Sequence, residues 1–100
     1  MNKKVEIQIV KSKALSGMVR FNVMKSFCLL YGGASCIDLQ GVWIDSKCDC
    51  HTDYSWLIYT YCSAFNKDSM VDLARSIAIQ LNEQAVMLVL DGECLFVGKD

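Results

Sequence analysis

The pattern of apolar and polar positions is most informative between Asp68 and Val97. In the first half of this segment apolar side chains recur at helical spacing and form one stripe: Met70, Leu73, Ala74, Ile77, Ala78 and Leu81. Asp68 or Ser69 can cap the start of a helix, and Asn82 can end it in a left-handed conformation. The pattern therefore predicts an amphipathic helix over residues 68–81.

A tight hairpin is predicted directly after this helix. Ala85–Leu90 is a continuous apolar run, which is typical of a buried strand. Asp91 and Gly92 follow, a pair that favours a two-residue hairpin turn. Cys94–Val97 then returns as a short final strand.

The beginning of the chain predicts a strand and a second helix. Val5, Ile7 and Ile9 alternate with Glu6 and Gln8, so one face of this strand is apolar and the other polar. Ser12 or Ser16 can cap the helix, which runs to about Tyr31 and ends at the glycine pair Gly32-Gly33. Its principal apolar face carries Val19, Val23, Phe27, Leu30 and Tyr31.

Two more strands are predicted in the middle of the chain. The first runs from Ala34 to about Asp45, and the second, rich in aromatic and β-branched residues, from Tyr54 to Ala64. The polar stretch Ser46–Asp53 between them is predicted to be a loop. The order β-α-β-β-α-β predicts an α+β, ferredoxin-like sandwich with a short extra C-terminal strand.

One hundred residues make a single domain, 1–100, of ordinary size. The core is predicted to contain the following residues: Val5, Ile7, Ile9, Val23, Phe27, Leu30, Ile77, Leu81, Val86 and Leu88. In the ferredoxin-like arrangement both helices cover one sheet face, and the other face stays open. Both faces of the strand 54–64 are apolar enough to be covered, and 53% of the chain is hydrophobic. We therefore expect a homodimer.

Composition excludes several classes of partner. Ten basic and eleven acidic residues nearly cancel, and the aromatic strand has no basic cluster beside it, so nucleic-acid binding is not expected. No apolar run approaches the roughly 18–20 residues of a membrane span, and no secretory signal is visible. These features predict a cytoplasmic protein without membrane contact, whose six cysteines stay reduced.

Cys48, Cys50 and His51 are the weak candidates for a metal site, with Asp53 nearby. The spacing Cys-x-Cys-His lacks the gap of a zinc finger and has no second ligand pair. We therefore predict no metal and no cofactor, with a structural zinc-binding module as an alternative. No phosphate-binding loop, dinucleotide fingerprint or suitable carboxylate pair is present, so no catalytic residues are predicted and the chain is expected not to be an enzyme.

Several segments of residues 30–97 resemble a group of small phage and prophage proteins with a ferredoxin-like fold and an anti-CRISPR-like character. The shared segments are the glycine pair after the first helix (31–35), Gly41-Val42-Trp43, and the turns at 81–86 and 91–93. The resemblance implies a mobile-element origin. The stretch Cys48-Asp49-Cys50-His51 departs from the plain turn of that group.

Together with the absence of catalytic motifs, this resemblance implies a phage-encoded, non-enzymatic protein that inhibits a host defence complex in the host cytoplasm. Trp43, His51, Tyr54 and Tyr59 are the predicted partner-binding residues, because aromatic side chains near a loop end make good anchors. The alternatives are a small ligand-binding sensor or enzyme that uses the open sheet face around Glu6 and Gln8, and a virion component.

Overall fold

The computed structural model describes residues 2–100. Along this stretch the elements are β1 (Lys3–Val10), α1 (Ser16–Tyr31), β2 (Ser35–Ile44), β3 (Cys50–Cys62), α2 (Lys67–Leu81), β4 (Ala85–Leu90) and β5 (Glu93–Gly98). In the described residues the strands form one five-stranded antiparallel sheet in the order β2-β3-β1-β4-β5. The predicted α+β class is confirmed, and a fifth strand follows β4.

One hydrophobic core lies between the sheet and the two helices. Val5, Ile7 and Ile9 supply its centre and are buried, as are the facing residues of both helices. α1 packs mainly on β3 and β1, whereas α2 packs on β4 and β5. Within residues 2–100 no helix has both the length and the apolar character needed to cross a membrane.

The predicted core is correct except at Leu30, which is 60% exposed. The buried stripe of α1 runs through Val19, Val23 and Phe27 at four-residue spacing, so the next residue on that side is Tyr31, which packs against the core. Three residues after Phe27 the helix has turned by about 300°, and Leu30 lies off the stripe.

The predicted helix starts were wrong, and the predicted ends were right. α1 begins after Leu15 without a side-chain cap, and Ser16 is buried inside its first turn. α2 is capped two residues before Asp68, by Asn66, whose side-chain oxygen accepts a hydrogen bond from the Ser69 N–H at 2.9 Å. Gly32 and Asn82 end the two helices with positive φ angles of 89° and 52°.

The loop between β2 and β3 is shorter than predicted, because β2 ends at Ile44 and β3 begins at Cys50. Part of the expected polar loop 46–53 is therefore strand, and His51 pairs with Trp43. β1 reaches only to the level of Ser55, so residues 41–53 extend past it as a two-stranded arm. His51 and Thr52 form strand here because they pair with Trp43 and Val42 across the hairpin, and this pairing outweighs the weak strand propensity of the polar stretch.

Candidate functional site

The sheet face away from the helices, called the open face below, carries the polar side of β1. Because successive side chains on a strand point to opposite faces, burial of Val5, Ile7 and Ile9 against the helices places Lys4, Glu6 and Gln8 on the open face. The register brings Tyr61, Tyr59 and Leu57 of β3 beside them in that order. On the other side of β1 the open face continues through Met87 and Val89 of β4 to Phe96 of β5.

β1 and β4 separate part of the way along their length. In the described residues the Asp91 N–H donates a 2.7 Å hydrogen bond to the Lys4 carbonyl, and next to it the pairing of the two strands runs from Val5 with Leu90 to Ile7 with Leu88. Beyond that point residues 8–10 and 85–87 are still in strands, yet no pairing joins them. The gap is a cleft of about 180 Å³, lined by Gln8, Ile9, Val10, Leu81, Glu83, Ala85, Val86, Met87 and Phe96.

This cleft combines apolar walls with a few polar groups. Strand residues that lack a neighbour keep backbone N–H and C=O groups available for other partners. Phe96 stands at the rim with 73% of its surface exposed, and the amide of Gln8 donates a 2.8 Å hydrogen bond to Ser55 Oγ. Apolar concave surfaces with a small number of positioned polar groups are typical small-molecule sites.

A charged and aromatic cluster lies next to the cleft on the open face. Lys4 Nζ lies 3.3 Å from Glu6 Oε1, 4.6 Å from the ring centre of Tyr59 and 5.9 Å from that of Tyr61. The two rings meet edge to face, with centres 6.1 Å apart and an interplanar angle of 84°. The hydrogen bond that the Lys4 ammonium donates to the Glu6 carboxylate raises the pKa of Lys4. Glu6 precedes the cleft residue Gln8 by two positions, so the cluster and the cleft adjoin along β1.

The predicted partner-binding residues lie in different places. Trp43 and His51 stack on the arm, with ring centres 4.3 Å apart and an angle of 18°. Tyr54, although exposed, lies on the opposite side of β3 from His51, and Tyr59 belongs to the cluster with Lys4. The structure thus brings Trp43 and His51 together but not the group of four. A role for these residues in partner binding remains a prediction.

The weak metal candidates surround a turn that Asp45 organises. One oxygen of Asp45 accepts hydrogen bonds from the N–H groups of Lys47 and Asp49, and the other lies 2.7 Å from His51 Nε2. Those hydrogen bonds lower the pKa of Asp45, and the hydrogen bond with His51 has the largest effect. Within residues 2–100 no group of three or more His, Cys, Asp or Glu side chains is arranged to hold a metal ion, and the cysteines are free thiols. The zinc alternative gains no support.

Several residues around the cleft were not expected from the sequence. Gln8 and Glu6 were noted as a polar strand face, and Lys4, two positions earlier on the same face, could have been added by alternation alone. The sequence predicts Met87 as a core-filling strand residue and Phe96 as part of the final strand, because nothing local to either strand indicates that β1 and β4 separate. The cleft depends on how two distant segments pair, which a single sequence does not report.

No protein-family model and no curated protein matches this chain. Two solved structures of a phage SAM lyase share its fold. The complex with S-methyl-5'-thioadenosine has a TM-score of 0.64 and 10% sequence identity, over 97% of this chain and 89% of the lyase chain. The apo lyase has a TM-score of 0.60 and 11% identity, over 97% of this chain and 87% of the lyase chain.

At this level of identity the likeness shows the fold and leaves the activity open. It nevertheless contradicts the predicted non-enzymatic inhibitor of a host defence complex, since both of these solved structures, which share the fold over 97% of this chain, are of an enzyme. The lack of a known catalytic motif in a sequence does not exclude catalysis, because an active site can be assembled from residues that are distant in the chain. The open-face alternative, a small enzyme or ligand-binding sensor near Glu6 and Gln8, agrees better with the fold.

Proposed function

We propose that this chain is a phage-encoded enzyme that cleaves S-adenosylmethionine, or a closely related sulfonium nucleoside, and that the cleft between β1 and β4 binds the nucleoside. The supporting observation is the fold, shared over 97% of the chain with a phage SAM lyase that has been seen with S-methyl-5'-thioadenosine. We interpret the strand order, read from β4 to β2, as the ferredoxin-like arrangement with β5 added at the edge. Because one fold can serve many functions, the chemistry has to come from the site itself.

The size and lining of the cleft suit one part of such a substrate. Pockets for whole ligands measure roughly 300–1,000 Å³, so a cleft of about 180 Å³ takes the purine base while the remainder lies over the open face. The exposed ring of Phe96 offers a surface on which a base can stack. Unpaired backbone groups of residues 8–10 and 85–87 can hydrogen-bond the base edge, in place of the missing strand pairing.

The charge of the substrate has a partner on the same face. Glu6 lies two residues from Gln8, about 7 Å along an extended strand. A substrate with its base in the cleft can then extend along β1, so that its positive charge approaches the Glu6 carboxylate and the ring of Tyr59. The ammonium of Lys4, 3.3 Å from Glu6, is the competing positive charge on this part of the face.

The bond change fits an apolar site. When the bond between the sulfonium sulfur and the four-carbon amino-acid chain breaks, its electron pair passes to sulfur, and the cation becomes the neutral thioether of S-methyl-5'-thioadenosine. Such a loss of charge is favoured where water is excluded. A lyase adds no water, so the four-carbon fragment completes its valence internally, by ring closure or by loss of a proton. The protein is thus proposed to bind, orient and desolvate its substrate.

The test is incubation of purified protein with S-adenosylmethionine, followed by separation and mass analysis of the products. We expect S-methyl-5'-thioadenosine to form, and Phe96→Ala to lower kcat/KM roughly 5- to 150-fold, in line with ~1–3 kcal/mol for a stacked base. Phe21→Ala is the matched control, since it removes an exposed ring from α1 on the other side of the sheet. Saturable binding without product would favour the sensor alternative. If the protein neither binds S-adenosylmethionine nor forms product, the proposal is refuted.

A further inference from the structure

We infer that Glu6, Tyr59 and Tyr61 form a binding site for an organic cation, and that the ammonium of Lys4 fills this site in the free protein. The inference deepens the proposed function by naming the residues that receive the positive charge of the substrate, and it rests on that function for the identity of the natural ligand. Whether the site binds cations at all is a separate question with its own measurement.

The geometry is that of a cation site. Two aromatic rings stand nearly perpendicular to each other, at 84°, and both lie within 6 Å of one ammonium nitrogen. A carboxylate oxygen completes the surroundings at 3.3 Å, and the Glu6 side chain is only 19% exposed. Sites built from ring faces and a carboxylate recognise quaternary ammonium and other alkylated cations, because the ring faces carry negative potential.

Lys4 is a weaker occupant than an alkylated cation would be. Its ammonium is compact and strongly hydrated. The free energy of dehydration therefore cancels much of the attraction between the ammonium and a ring face. A sulfonium or quaternary ammonium has no N–H groups to hydrate and loses less on moving between Tyr59 and Tyr61. Lys4 is carried on a flexible four-carbon stem, which lets the ammonium move into solvent while the backbone of β1 stays paired.

A competing side chain has a measurable consequence, because removing it must strengthen binding. Lys4→Met keeps an apolar stem of similar length but deletes the ammonium. We expect this variant to bind a small alkylated cation roughly 2- to 30-fold more tightly than the natural chain, the range given by ~0.5–2 kcal/mol for one cation–ring interaction. A purely structural role for the Lys4–Glu6 pair predicts no such gain.

The experiment titrates trimethylsulfonium into isotope-labelled protein and follows the backbone and ring resonances of Lys4, Glu6, Tyr59 and Tyr61. Potassium at the same ionic strength is the control for general screening of charge. We expect saturable shifts confined to these residues. Tyr59→Leu should weaken binding roughly 2- to 30-fold, whereas Phe21→Leu, which removes a ring from the opposite side of the sheet, should leave it unchanged.

Glu6→Gln is a second variant, which keeps the side-chain shape in case Tyr59→Leu disturbs folding, and it too should weaken binding. Absence of saturable shifts in both the natural chain and Lys4→Met would overturn the inference, even if the protein cleaves S-adenosylmethionine. Tight trimethylsulfonium binding without cleavage would leave the cation site in place and remove the proposed enzymatic function. The two ideas therefore fail separately.

Discussion

In its ionised form, the carboxylate of Asp45 stabilises the turn at the tip of the arm. It accepts hydrogen bonds from two backbone N–H groups and pairs with His51, which itself stacks on Trp43. These contacts lower the pKa of Asp45, the hydrogen bond with His51 most, from an ordinary value of 3.8. A carboxyl whose pKa is lower in the folded state stabilises that state above its unfolded pKa, and the contribution is lost as the pH falls through the folded pKa.

We therefore expect Asp45→Asn to loosen the turn at neutral pH and to remove its dependence on acid below about pH 4. The indole resonance of Trp43 reports the change, because the turn positions the His51 ring on which it stacks. Asp49→Asn is the matched control in the same turn, since the backbone of Asp49 makes the hydrogen bonds there. An equal effect of both substitutions would mean that general charge, and not the Asp45 contacts, governs the turn.

Burial at single positions determines how much each apolar side chain stabilises the fold. Ile77 of α2 is 1% exposed, whereas Ile79, two residues later on the same helix, is 57% exposed. Ile77→Ala should lower the free energy of unfolding by ~2–5 kcal/mol, because it leaves a cavity in the core. Ile79→Ala should change it by less than about 0.5 kcal/mol. Denaturant unfolding of the two variants would measure this, and similar losses would contradict the assigned helix orientation.

At the scale of elements, the two helices differ in how they begin. α2 has a side-chain cap from Asn66, while α1 has none. Asn66→Ala should cost ~0.5–2 kcal/mol of stability, because it leaves the Ser69 N–H without its partner. Asn22→Ala, at an exposed position inside α1, should be neutral or slightly stabilising, since alanine is the better helix former. Thermal unfolding would compare the two, and an equal cost would argue against a capping role.

Local patterns predicted most of the elements but not their long-range pairing. The stripe of α2, the alternation in β1 and the turn at Asp91-Gly92 each depend on neighbours within a few residues, and these predictions were close. The arm was underestimated because strand pairing overrides the weak propensity of its polar residues. The cleft depends on residues about 75 positions apart in the sequence. Of the residues in the candidate site, the sequence therefore indicates only those on the polar side of β1.

At the scale of the whole molecule, self-association through the open face remains our prediction. Its β2–β3 half carries Ile37 beside Leu57, with Leu39 two residues further along β2, and these side chains form an apolar patch. We expect light scattering at micromolar concentration to give twice the 11.2 kDa chain mass. Ile37→Lys should return the chain to a monomer, whereas Leu29→Lys, at an exposed position of α1, should not. Dissociation by Leu29→Lys alone would place the contact on the helix side.

The partial separation of β1 and β4 also has a consequence for motion. We expect β2, β3, β1 and α1 to move as one block and β4, β5 and α2 as another, because in the described sheet they are joined by the pairing of residues 5–7 with 88–90 and by the hydrogen bond from the Asp91 N–H to the Lys4 carbonyl. Hinge motions between such packed bodies occur on microsecond-to-millisecond timescales. We expect relaxation dispersion to detect exchange at the residues bordering the cleft, with the blocks themselves rigid. A ligand that contacted both strands would hold them at a fixed separation, and the exchange would disappear at saturation.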